Sequence, residues 1–145
     1  MVSAAAQRHA PVRGGPVAYR LALRRLGPLA GLALPLAMAL LGYIIWNGST
    51  GIRPALIVWF LAALAMPTAI LVGLPLFTTT ATLWAGVATS AVVWLLLGRY
   101  AARRATRSPI ASWRDWWREF AALTLGMWAG IGAGLVTLSF VLSRA

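Results

Sequence analysis

Asp115 and Glu119 are the two carboxylates of the chain, and they are the first place to look for chemistry. They lie four residues apart, so on a helix they would share a face, where paired carboxylates can act as acid and base or hold a cation. Arg114 and Arg118 flank them, however, and both acids fall where a helix is predicted to begin. Negative charge is stabilised at a helix N-terminus. We therefore interpret them as capping and ion-pairing residues.

Other reactive residue types are scarce. The chain contains one histidine, His9, and no cysteine. A single imidazole without thiolates does not make a zinc or haem site, and no His or Lys base accompanies the Ser and Thr hydroxyls in the apolar segments. We predict that the protein is not an enzyme and that it uses no cofactor and no metal.

The composition indicates a membrane protein. Apolar residues make up 61% of the 145 residues and charged residues 10%, against about 25% charged in soluble domains. A soluble domain of this size would still expose about a third of its chain, which leaves too much apolar surface in water. The use of Arg without Lys is typical of GC-rich bacterial genomes, so we predict a multi-pass protein of the bacterial cytoplasmic (inner) membrane.

The formal net charge of +11 predicts an anionic partner. Because the thirteen basic residues lie almost entirely outside the apolar segments, we expect anionic lipids or an acidic subunit, and no nucleic acid. The arginines predicted to contact lipid headgroups are Arg24, Arg25, Arg99, Arg103, Arg104 and Arg107.

Residues 1–25 are predicted to form a basic arm, within which Val17–Leu26 suits a short amphipathic helix on the membrane surface. An Arg-rich, acid-free start is also typical of a transit peptide, but we expect the arm to be retained. The transmembrane domain is predicted to cover residues 26–145.

The uncharged stretch from residue 54 to 98 is too long for one crossing. As a single helix it would reach about 68 Å, more than twice the hydrocarbon thickness of about 30 Å. We expect it to turn back near residues 75–80, where Pro75 ends one helix and threonines cap the next. The last helix is predicted to begin at Ser112, which has capping-box spacing to Asp115.

The predicted fold is an all-α integral membrane bundle of four transmembrane helices with a basic N-terminal arm. The helices are expected near 26–46, 54–75, 80–98 and 112–142. Four crossings place the basic arm and the basic loop 99–118 on opposite sides, although the positive-inside rule favours the cytoplasm for both. Two resolutions remain: a basic external loop, or a re-entrant segment broken at Pro67 or Pro75 that leaves three crossings. Re-entrant backbone requires cover by protein.

Gly126, Gly130 and Gly134 form a GxxxGxxxG motif in the last predicted helix. Residues four apart share a helical face, and glycines there let another backbone approach closely, which is how helices pack in lipid. We predict a helix-packing interface at these glycines. The packed helix belongs either to a partner subunit or to this chain.

A second cluster consists of Trp113, Trp116 and Trp117, with Arg114 and Arg118 on a different face. Tryptophan prefers the headgroup zone, so the cluster suits a membrane-interface anchor. Trp and Arg also dominate interface hot spots, which leaves a partner anchor as the alternative.

The apolar segments contain no ionisable residue, which argues against ion-coupled transport. We predict a non-catalytic accessory or assembly subunit of a larger bacterial membrane complex, such as a respiratory or photosynthetic one, in contact with other membrane subunits and anionic lipid. The alternative is a small homo-oligomeric transporter, channel or lipid-carrier flippase. Its path would be lined by Thr68, Thr78, Thr79, Thr80, Thr82, Thr89 and Ser90.

Overall fold

The computed structural model describes residues 16–48, 50–71, 79–107 and 111–144, and all regular structure within these ranges is helical. The predicted all-α membrane bundle is thereby confirmed as a fold class. The helices are α1 (Pro16–Gly31), α2 (Ala33–Gly48), α3 (Ile52–Ala65), α4 (Pro67–Leu71), α5 (Thr80–Ala105) and α6 (Trp113–Leu142).

Three helical stretches are long and apolar enough to cross a membrane: Val17–Gly48, which combines α1 and α2, together with α5 and α6. They contain 32, 26 and 30 residues. At 1.5 Å per residue each exceeds the hydrocarbon thickness of about 30 Å. The protein is therefore membrane-embedded, with several spans. By contrast, α3 has 14 residues and would reach only about 21 Å.

The segment predicted as a surface helix, Val17–Leu26, is helical but is not a separate element. It continues through α1 into α2 with only a turn at Leu32, where the Leu32 N–H bonds to the Leu29 carbonyl at 3.0 Å. The physical reason is packing: α1 lies along α5 and buries Leu23 completely. Residues 1–15 of the predicted basic arm lie outside the described residues.

The helix predicted from 54 to 75 is interrupted. α3 ends at Ala65, Met66 has non-helical dihedral angles (φ −121°, ψ 68°), and α4 starts at Pro67. Proline cannot donate a backbone hydrogen bond to the preceding turn, so an uninterrupted helix is unfavourable there. The break lies at Pro67, one of the two positions that the re-entrant alternative predicts; the other, Pro75, lies outside the described residues.

The path of this segment follows from its neighbours. α5 runs antiparallel to α1, because Gly27 approaches Ala102 and Gly98 whereas Gly31 approaches Trp94. The start of α5 therefore lies towards the same end of the bundle as the end of α2. α3 leaves that end, and its last residue, Ala65, reaches the side chain of Trp94 near the middle of α5.

Thr68 then contacts Gly86 and Ser90, which precede Trp94 in α5, so the chain has already turned back. The segment from Ile52 to Thr79 thus begins and ends towards one end of the bundle. This path favours the re-entrant alternative, with three crossings, over the expected fourth crossing.

Side chains cap the N-termini of α5 and α6, as the sequence indicates. Thr79 Oγ1 accepts a hydrogen bond from the Thr82 N–H at 3.2 Å and Ser112 Oγ from the Asp115 N–H at 3.2 Å, each within a complete capping box. α5 continues to Ala105, seven residues beyond the predicted end at 98. Asp115 is thus held in a cap at the start of α6.

Single cysteines introduced at Thr50, Thr79 and Ala111 test the path, because the chain has no cysteine of its own. A membrane-impermeant maleimide applied to sealed vesicles is expected to label Thr50→Cys and Thr79→Cys from one side and Ala111→Cys from the other. Four crossings would instead separate positions 50 and 79 and place 50 with 111. Val17→Cys, which should label with position 111, serves as an independent check.

Candidate functional site

Glycines of α1 and α5 form a close helix crossing. A Cβ added to Gly98 would lie 2.6 Å from the Gly27 carbonyl oxygen, and one added to Gly31 would lie 2.7 Å from the Trp94 carbonyl oxygen. Real Cβ atoms do not approach so closely, so the two backbones are in direct contact. Sequence inspection did not single out Gly98. The signal available was its spacing of four residues to Ala102, a small-residue pair.

An aromatic cluster lies beside this crossing, and it contains Trp116. The Trp116 side chain is 0% exposed, and its Nε1 donates to the Gly98 carbonyl at 3.2 Å. Its ring stacks on Phe120 at 4.8 Å between centroids, and Phe120 also contacts Trp94 at 6.0 Å. Trp116 therefore belongs to the core of the bundle.

This corrects the prediction that Trp113, Trp116 and Trp117 act together as an interface anchor. Trp116 is buried because the first turns of α6 pack against α5, whereas Trp117 stays 48% exposed and Trp113 is half-buried. Only Trp117 and part of Trp113, with the exposed Arg114 and Arg118, remain available to lipid or to a partner.

Thr106 joins the N-terminal basic segment to the end of α5. Arg20 Nη2 donates to the Thr106 carbonyl at 2.8 Å, and Arg24 Nε donates to Thr106 Oγ1 at 3.1 Å. Positive charge is favourable at a helix C-terminus, where carbonyl groups lack intrahelical partners. The two regions rich in arginine, far apart in sequence, therefore meet at one end of the bundle.

We call this the arginine end. Its arginines among the described residues are Arg20, Arg24, Arg25, Arg99, Arg103, Arg104, Arg107, Arg114 and Arg118. Two acidic residues oppose them. Asp115 bonds to Ser112, and Glu119 Oε2 pairs with Arg104 Nε at 2.8 Å across α5 and α6. Glu119 thus pairs between helices, where the sequence suggested a local pair with Arg114 or Arg118, and Arg104 already has a counter-ion.

The glycine face of α6 has no neighbour in the described part of the chain. A Cβ added at Gly126, Gly130 or Gly134 would meet no heavy atom within 4 Å outside its own helix. The residues that follow Ile131 in α6 are exposed. Of the two alternatives from the sequence, packing against this chain's own helices is therefore not seen among the described residues.

Hydroxyl groups of α4 and α5 form hydrogen bonds beside the break between α3 and α4. Thr68 Oγ1 lies 2.6 Å from Ser90 Oγ and 2.8 Å from Thr89 Oγ1, while the Thr68 N–H donates to Ser90 Oγ at 3.3 Å. Trp94 Nε1 donates to the Ala65 carbonyl at 2.8 Å. A helix break inside a membrane frees backbone groups that must find partners in the protein. Ser90 and Trp94, one turn apart on α5, provide them.

The chain matches no known family. No family model, no curated protein and no solved structure is significantly similar to it. Its function is therefore inferred from two features of its own surface, the glycine face of α6 and the arginine end.

Proposed function

We propose that the protein is a non-catalytic accessory or assembly subunit of a larger bacterial membrane complex, which packs against other subunits through the glycine face of α6 and contacts anionic lipid at its arginine end. The observation that carries the proposal is the difference between two sets of glycines in one chain. Gly31 and Gly98 lie against backbone and Gly27 lies against the side chains of Ala102 and Trp116, whereas Gly126, Gly130 and Gly134 have no neighbour within 4 Å among the described residues.

A face of three glycines has a cost when it faces lipid. Each glycine weakens a helix interior by about 0.8–1.0 kcal/mol relative to alanine. The cost is offset only when the missing side chains allow close contact between backbones, because lipid tails solvate apolar side chains as well as a neighbouring helix does. A transmembrane helix of another subunit is the occupant that makes use of this face.

The remainder of α6 is consistent with such a neighbour. No residue in the most apolar 18-residue stretch of α6 is buried, whereas 22% of the residues in the corresponding stretch of α5 are buried. The first turns of α6 hold it to the bundle through Trp116 and Phe120, while the glycine face has no neighbour in the described ranges. The N-terminal end of α6 is thus anchored to the bundle, and the rest of the helix is available to a partner helix.

The arginine end orients the protein in this proposal. Under the positive-inside rule it lies in the cytoplasm, and with three crossings the N-terminal segment and the loop before α6 both satisfy the rule. The anionic lipids of a bacterial inner membrane would lie against this end. Arg53 lies in the first turn of α3, near the opposite end of the bundle.

In the transport alternative, the hydroxyl groups would have to face a pathway for the transported solute. Thr68, Thr89 and Ser90 are instead bonded to one another and to backbone groups. The cavity of about 300 Å³ beside them is lined mainly by apolar side chains such as Leu36, Val87 and Trp94. Thr78 lies outside the described residues. This arrangement favours a structural role for the hydroxyls and hence the accessory-subunit proposal.

Purification from native membranes in a mild detergent tests the proposal. We expect unrelated membrane subunits to accompany the chain in near-stoichiometric amounts, because a packed glycine face is stable without bulk lipid. Recovery of the chain alone, or as a homodimer, would contradict an accessory role and support the homo-oligomer alternative.

A further inference from the structure

A cavity opens at the arginine end between α1 and α5. Its volume is about 750 Å³, and its polar lining consists of Arg24 from α1 with Arg99 and Arg103 from α5. Its apolar lining includes Pro28, Leu95 and Leu96. The cavity exists because Gly27 and Gly98 bring the two helices together just beside it, so that arginines of both helices surround one space.

The charges around this cavity are not balanced by the described protein. Arg104 is paired with Glu119, and Asp115 is engaged by Ser112. In residues 16–48, 50–71, 79–107 and 111–144, the side chains of Arg99 and Arg103 have no ion-pair or hydrogen-bond partner.

Arg24 bonds to Thr106 through Nε, and its other guanidinium donors have no partner among the described residues. Three guanidinium groups around this cavity therefore have donors available for an anion. Several arginines around a phosphate give strong, charge-assisted hydrogen bonds.

Apolar surface extends from these arginines into the membrane-spanning part of α5. Leu95 lies one turn before Arg99 and Leu96 lies two turns before Arg103, on the side that leads towards the bilayer interior. A second cavity of about 490 Å³ shares Leu96, Arg99 and Arg103 and adds Val93 and Leu97. Apolar grooves thus adjoin the same pair of arginines in two places.

We propose that this site binds one anionic phospholipid, with its phosphate held by Arg24, Arg99 and Arg103 and its acyl chains in the two adjoining grooves. Basic pockets between transmembrane helices on the cytoplasmic side are suited to such headgroups. A free phosphate would use the arginines but not the grooves. The inference deepens the lipid contact within the proposed function and does not depend on a partner subunit.

The test uses the purified full chain reconstituted in nanodiscs or micelles, with retained lipid measured by native mass spectrometry. Phosphatidylglycerol is expected to bind with defined stoichiometry and phosphatidylcholine much more weakly. The double variant Arg99→Gln/Arg103→Gln is expected to lose roughly tenfold or more in phosphatidylglycerol affinity, because two charge-assisted contacts are removed. Inorganic phosphate at millimolar concentration is expected not to displace the lipid.

The matched control is Arg114→Gln/Arg118→Gln, which removes the same charge from the same end but lies outside both cavities. It should keep near-native affinity. Equal loss in both double variants would overturn the site in favour of diffuse surface electrostatics, and displacement by inorganic phosphate would overturn the lipid.

If the wild-type protein showed no preference for phosphatidylglycerol, the proposed contact with anionic lipid would itself be wrong. None of these results bears on whether subunits co-purify. Unchanged melting temperatures of the two variants confirm that folding is intact, and a pocket variant that fails this check is replaced by Arg103→Gln alone.

Discussion

Replacing Gly130 with isoleucine is expected to release the chain from the subunits with which it co-purifies, with recovery of those subunits falling roughly tenfold. Gly130 is the middle residue of the bare glycine face, and no atom of another described helix lies within 4 Å of the position of its missing Cβ. A branched side chain there would hold a partner helix away from the backbone of α6, while the fold of the chain itself has nothing to clash with. Co-purification in mild detergent, quantified by mass spectrometry, measures the effect.

Gly132→Ile is the matched control. Gly132 is equally free of neighbours, but two residues along a helix place it on nearly the opposite side of α6. The change in volume and in helix propensity is the same. Retention of partners by Gly130→Ile, or equal loss from both variants, would contradict the proposed packing face, and a change in solute flux without loss of partners would support the transporter alternative.

Replacing Gly98 with alanine is expected to destabilise the bundle by about 1–3 kcal/mol, the usual penalty for overpacking a tight core. The new Cβ would lie 2.6 Å from the Gly27 carbonyl oxygen and 3.1 Å from the Pro28 Cα. Both are backbone atoms, so rotation of a side chain cannot relieve the clash and α1 must shift from α5. Unfolding in detergent, followed by tryptophan fluorescence, reports it because Trp94 and Trp116 lie in the adjoining core.

Gly126→Ala provides the comparison for that measurement. Among the described residues, no heavy atom outside its helix lies within 4 Å of the added Cβ, so stability is expected to stay unchanged or to rise by up to about 1 kcal/mol through helix propensity. If Gly98→Ala were as stable as Gly126→Ala, the close contact of α1 with α5 would not be what holds the bundle together.

Features that depend on local sequence could be predicted. Long apolar stretches and scarce charge require a membrane and, within it, helices, because backbone groups in lipid must bond within their own segment. Helix starts were equally local: the Ser112–Asp115 capping box joins residues three apart. The GxxxGxxxG face of α6 was also visible in the sequence, since helical geometry alone aligns its glycines.

Features that depend on residues distant in the sequence could not be predicted. The burial of Trp116 depends on Gly98, eighteen residues earlier, whose carbonyl accepts from the indole N–H, and on Gly27, which has no side chain to fill the space beside Trp116 Nε1. The pairing of Glu119 with Arg104 likewise joins two helices. Hydropathy treats a lipid-facing tryptophan and a core tryptophan alike, so spacing suggested an interface anchor where packing made a core residue.

The arginines show the division most clearly. Their positions along the chain are visible in the sequence, and so is the conflict between two basic regions and four crossings under the positive-inside rule. That both regions share one end follows from the fold, in which Arg20 and Arg24 bond to Thr106. This is physically possible because Ser90 and Trp94 satisfy the backbone groups freed beside Pro67, so that the segment between α2 and α5 can turn back inside the bundle without crossing it.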